Sequence, residues 1–93
     1  MRVVYTPDAS GDLDRIHVYI AERNSRAATA VSRAIRRLAE GLAEFPLIGH
    51  PTSASGVHVV TLGRYPFRIF YRVVGEEVHI LHVRHDARTD WRP

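Results

Sequence analysis

Arginine and histidine are the side chains whose type and spacing can do chemistry in this sequence, and they gather in its C-terminal half. Arg64, Arg68, Arg72, Arg84 and Arg88 recur through a stretch that also holds His58, His79, His82 and His85. A guanidinium grips phosphate or carboxylate through a planar fork of N–H donors, and an imidazole moves protons near neutral pH. Arg68, Phe70 and Arg72 alternate with Phe67, Ile69, Tyr71 and Val73, so on a strand the two sets take opposite faces. A basic face with an aromatic ring between its arginines can hold phosphates while stacking a base. Open-face arginines also serve simply to solvate a sheet, and the pattern leaves both roles open. Arg64 joins that face only if the alternation survives Pro66.

The histidines do not form a cluster by strand parity. His79 and His85 share one parity and His82 has the other. No pair of helical histidines and no cysteine pair offers metal-ligand spacing, so no metal is expected. The sequence has no glycine-rich phosphate loop and no serine nucleophile elbow, and no cofactor is implied. Glu76 and Glu77 fall at a hairpin tip, as solvated charges do.

The elements that must position these groups are legible in order. Arg2–Thr6 reads as a short first strand around Val3, Val4 and Tyr5. Thr6-Pro7-Asp8 starts a helix: Thr6 as N-cap, Pro7 in the first turn and Asp8 at the positive end. Ala9, Leu13, Ile16 and Ile20 give that helix one apolar face, running to about Arg23. Asn24-Ser25 ends it and caps the next, which runs to about Phe45 with a stripe of Ala27, Val31, Ala34, Ile35, Leu38, Leu42 and Phe45. Arg33, Arg36 and Arg37 lie off that stripe as a basic patch. Phe45-Pro46-Leu47-Ile48-Gly49-His50-Pro51 cannot continue a helix, and the small polar residues 52–56 read as a surface loop. Three strands follow, at Val57–Leu62, Pro66–Val74 and Glu77–Arg84, with a tight turn at Gly75. The chain then leaves the sheet through His85-Asp86-Ala87-Arg88. The expected fold is a single two-layer α+β domain over residues 1–93, β-α-α-β-β-β, with a helical hairpin covering one face of an antiparallel sheet.

Composition narrows the partners. An apolar fraction of 45% over 93 residues suits one small globular domain. The chain has no cysteine, which fits a reducing compartment. No apolar run nears the roughly 20 residues that a membrane span needs, and no signal peptide precedes the first strand. All thirteen basic residues are arginine, and the formal net charge is +3. An acidic partner follows, either nucleic acid or an acidic protein.

Taken together, V-V-Y-T-P-D-A-S-G-D-L-D-R-I-H-V-Y-I, F-P-L-I-G-H-P, R-Y-P-F-R-I-F-Y-R-V and I-L-H-V-R-H-D-A-R resemble the RelE/ParE superfamily of toxins from bacterial type II toxin–antitoxin modules. The resemblance spans nearly the whole chain, and the last two stretches carry most of it. It implies a cytoplasmic growth inhibitor held inactive by a cognate antitoxin in a hetero-oligomeric complex. The antitoxin segment of such modules is usually acidic and lays a helix on the helical hairpin, often with a strand on a sheet edge. The charge of this chain and its exposed first strand suit such a partner.

The two branches of the superfamily differ in chemistry. RelE-like members cut messenger RNA on the ribosome with lysines, arginines and a C-terminal tyrosine, or with a glutamate–histidine set. Arg68 and Arg84 match two arginines of those nucleases, and His85 lies one place from a catalytic histidine. This sequence has no lysine, no tyrosine after Tyr71, and no glutamate in the loop or the first meander strand. ParE-like members lack the nuclease set and inhibit DNA gyrase by binding it. The resemblance therefore implies the ParE branch, non-enzymatic and directed at gyrase. The alternative is a RelE-like endoribonuclease using Arg68, Arg84 and His85. A plain arginine-faced nucleic-acid-binding module is the third reading.

Overall fold

Thr6 shows how the sequence ties its first helix to its last strand. Its Oγ1 accepts the Ala9 N–H at 3.2 Å as an N-cap, and its hydroxyl reaches the Ile80 carbonyl at 2.8 Å. One side chain thus satisfies a helix-end donor and binds the helix start to the sheet. The structure, a computed structural model, describes residues 1–85. Strand β1 is Arg2–Tyr5, helix α1 Pro7–Ala21 and helix α2 Ser25–Gly41. Strands β2 (His50–Pro51), β3 (His58–Thr61), β4 (Phe67–Val74) and β5 (Glu77–His85) complete the fold. Asn24 caps α2 by accepting the Ala27 N–H at 3.0 Å.

The strands form one five-stranded sheet in the order β1-β5-β4-β3-β2. The β2–β3–β4–β5 run is antiparallel, but β1 pairs parallel to β5, from Arg2 opposite Glu77 to Tyr5 opposite Ile80. The sheet is therefore mixed rather than wholly antiparallel. Alternation reveals a strand but not its direction. Both helices and three strands separate β1 from β5, a connection long enough for parallel pairing. His50–Pro51 also forms a short outer strand against Val59 and His58, where the prolines read as loop. Pro51 fits there because an edge strand tolerates a missing donor.

The helices cover one face of the sheet, α1 packing on β5 and α2 on β4. The core joins Leu13 of α1 and Val31, Ile35 and Ala39 of α2 to Ile69, Tyr71, Val78, Ile80 and Val83 of the sheet. Phe45 departs from the expected stripe and is 58% exposed. α2 ends at Gly41, and the next turns close with i→i−3 bonds, such as Ala43 N–H to Glu40 O, which rotate Phe45 off the buried face.

Candidate functional site

The face of the sheet away from the helices is set by a β-bulge. Phe70 pairs with His82 and Tyr71 with Ile80, so Leu81 has no partner opposite it. The extra residue shifts side-chain parity along β5. His79 pairs with Arg72, His82 with Phe70 and Arg84 with Arg68, which brings all of them to one face. His79 and His82 are thus neighbours in facing, contrary to simple alternation. His85 pairs with Phe67 on the helix-covered side and meets its ring edge-on at 5.2 Å. Arg68 and Arg84 are cross-strand neighbours, but His85 does not join them.

Phe70 shares the open face by parity yet is buried, 2% exposed, and so presents no free ring for stacking a base. Arg72 is exposed, and its guanidinium donates to the Ser55 carbonyl at 3.3 Å. Arg64 is not on this face. It lines an open groove of about 650 Å³ beside α2, together with Arg33 and Arg37. Arg88 lies outside the described residues.

Asp12 is the residue that the sequence did not mark. It is 4% exposed, the one charged side chain buried to that degree among the described residues. Its Oδ2 accepts the Val83 backbone N–H at 2.9 Å and faces His82 Nδ1 at 3.1 Å. Its Oδ1 accepts from Arg15 Nη2 at 2.6 Å, with Arg84 Nη1 at 3.5 Å. The His82 ring thus turns its Nδ1 edge to Asp12 and its Nε2 away from it. That nitrogen lies 3.8 Å from the exposed carboxylate of Asp8. The only cue in the sequence is an acid one residue before Leu13, on the edge of the apolar stripe. The pairing is non-local, which hides it from any window.

Elsewhere the polar groups are structural. His79 Nε2 lies 2.9 Å from Glu77, which Arg2 also approaches at 3.1 Å. The hydrogen bond from His79, more than the Arg2 charge, holds the Glu77 carboxyl below its usual range. Burial pushes the Tyr71 phenol up. Its hydroxyl donates to the Pro46 carbonyl at 2.9 Å and accepts the Gly49 N–H at 3.0 Å, pinning the loop after α2. Among the described residues no three acidic, histidine or cysteine side chains converge on a metal position.

The fold and this arginine face can be set beside known proteins. The family described as ParE toxin of type II toxin-antitoxin system, parDE, matches residues 3–90. The chain belongs to the ParE toxin family. Toxin ParE3 of Caulobacter vibrioides is 34% identical over 88% of this chain and 83% of its own length. Toxin RelE2 of the same organism is also 34% identical, over 94% and 97%. Among solved structures, the chromosomal ParDE toxin–antitoxin system of P. aeruginosa superposes with a TM-score of 0.80 at 30% identity, covering 91% of this chain and 95% of that one. The toxin–antitoxin complex RelBE2 of Mycobacterium tuberculosis gives 0.63 at 29%, over 90% and 95%. This ParE-family chain thus has relatives named for both branches of the superfamily. No helix among its described residues is long and apolar enough to cross a membrane.

Proposed function

We propose that this ParE-family chain is a cytoplasmic growth inhibitor, that a cognate antitoxin holds it inactive, and that it acts by binding DNA gyrase rather than by catalysis. The observation that carries the reading is the position of His85. It packs against Phe67 on the helix side, away from the Arg68–Arg84 pair. A nuclease needs phosphate-binding groups and a proton-transfer group within reach of one scissile bond. Arg68, Arg72 and Arg84 therefore supply a cationic contact surface for an anionic patch on a target. The structural likeness to proteins solved as ParDE and RelBE complexes supports the antitoxin partner.

The test is a supercoiling assay. Purified toxin added to DNA gyrase and relaxed plasmid should abolish supercoiling or trap cleaved DNA, and antitoxin should restore activity. Unchanged supercoiling at excess toxin would remove gyrase as the target.

One observation favours a second reading. Asp12 orients His82 on the same face as Arg84 and Arg68, which is an acid–base group beside two phosphate binders. A ribosome-dependent endoribonuclease would then use His82 in place of His85. In that reading Nε2 accepts the 2′-hydroxyl proton while the arginines hold the phosphate. Codon-positioned cuts in ribosome-bound message would support it.

A further inference from the structure

The arginines of the open face carry a fixed charge, but an imidazole beside them does not. His82 stands two residues before Arg84 on β5, and Arg68 lies opposite Arg84. Two residues along a strand place side chains of one face about 7 Å apart. The His82 side chain is 27% exposed, so the ring reaches the surface of that face. α1 brings a carboxylate to each of its nitrogens. Asp12 Oδ2 lies 3.1 Å from Nδ1, and Asp8 Oδ2 lies 3.8 Å from Nε2. Across the sheet the residue opposite the ring is the uncharged Phe70, and β1 ends opposite Ile80, short of it. Asp12 does not depend on the ring for partners, because the Val83 N–H, Arg15 and, at 3.5 Å, Arg84 already meet it. Other histidines of β3 and β5 are placed differently. His79 Nε2 is held by Glu77, which Arg2 also approaches, while His58 and His85 pair with Tyr71 and Phe67 of the helix-covered side.

We infer that His82 is a proton-operated contact of the arginine face: on gaining a proton it adds a positive charge beside Arg84 and Arg68, and the face then holds an anionic target more tightly. In a neutral imidazole one nitrogen donates and the other only accepts, so one of the two carboxylates faces a lone pair. In the cation both nitrogens donate, and Asp12 and Asp8 stand as acceptors for both. The incoming proton therefore meets an acceptor already in place. Asp12, held by Val83 and Arg15, fixes the ring in either state. Asp8 is exposed and is the partner that answers the change of charge. The inference rests on the contact surface proposed above and adds its regulation. One unit charge at this range changes the affinity for an anion about 3- to 10-fold at low salt, and less at high salt.

The test measures binding of a heparin fragment by calorimetry at about pH 6 and about pH 8 in low salt, a range over which its sulfates keep their charge and an imidazole does not. Wild type is expected to bind about 3- to 10-fold more tightly at the lower pH. His82→Gln should bring that ratio to within about twofold of one, and His82→Arg should do the same at the tighter affinity. His79→Gln, on the same face but bonded to Glu77, should keep most of the ratio. Asp8→Asn removes the carboxylate at Nε2 and should move the rise in affinity to lower pH, together with the midpoint of the His82 imidazole resonance. Circular dichroism at both pH values confirms that each variant is folded. A wild-type ratio near one, or no binding at either pH, overturns the inference. So does a ratio that survives His82→Gln, or a His82 midpoint that ignores Asp8→Asn. The gyrase reading is separable. A His82-dependent ratio without any effect on supercoiling removes gyrase and leaves the switch, whereas gyrase inhibition without that ratio removes the switch alone.

Discussion

Asp12 Oδ2 accepts the backbone N–H of Val83 at 2.9 Å, across 71 residues of chain. The parallel strand β1 reaches only as far as Ile80 along β5, so beyond that point the edge of β5 needs another acceptor. A helix carboxylate supplies it, and His82 and Arg15 complete its shell. Asp12→Ala leaves the Val83 donor and the His82 ring without their partner and should cost about 3 kcal/mol. For a chain of this size that corresponds to a fall in Tm of roughly 10–20 °C. Asp12→Asn keeps an oxygen for Val83 and should recover part of the loss. Urea unfolding of both variants is the measurement, and wild-type midpoints would remove the clamp from the account.

Tyr71 and Gly49 should behave as a coupled pair. A Cβ on Gly49 would lie 2.6 Å from the Tyr71 hydroxyl and 2.8 Å from the Val59 carbonyl. Gly49→Ala is expected to cost about 1–3 kcal/mol through overpacking. Tyr71→Phe, which strips partners from Pro46 and Gly49, should cost about 1–2 kcal/mol. The double variant should lose less than the sum, since one clash disappears with the hydroxyl. A double-mutant cycle with zero coupling would contradict this geometry.

Tyr5 makes the fold sensitive to alkali. Its phenol donates to Glu40 at 3.0 Å, and burial, reinforced by that carboxylate, pushes its pKa up from 10.0 to about 12. The unfolded chain then releases this proton near 10 while the folded chain keeps it, so stability is complete below about 10 and falls as pH rises towards 12. Tyr5→Phe should flatten that part of the profile of Tm against pH. An unchanged alkaline slope in the variant would assign it to other groups.

Single substitutions on the open face separate the two mechanisms. Arg68→Ala should weaken growth inhibition under either. His82→Ala should leave gyrase inhibition within about threefold of wild type after correction for folded fraction, whereas a general base carries about 100-fold or more of a nuclease rate. Growth arrest and message cleavage, measured on the same preparations with circular dichroism as the folding control, decide between them.

Local signals foretold the elements well. Thr6 and Asn24 cap the two helices as their positions demand, and the β4 alternation correctly sends Ile69 and Tyr71 beneath them. The candidate site was less legible. Arg68 and Arg84 lie opposite one another, which strand parity alone did not reveal, and the facing of His79, His82 and His85 is inverted by one unpartnered residue, Leu81. Strand parity carries no warning of a bulge, because a bulge is a property of the pair of strands and not of either one. The condition set for Arg64 is not met: the alternation does not survive Pro66, and its guanidinium lines the α2 groove.

The sequence by itself determined the element order, the caps, the amphipathic faces and the family, since each rests on neighbours in the chain or on motif spacing. Tertiary structure alone decided that β1 runs parallel to β5, that Phe70 is buried, and that Asp12 stands beneath His82 and Val83. Those features join residues far apart in the chain. Their energies come from contacts that exist only once the helical hairpin has settled on the sheet.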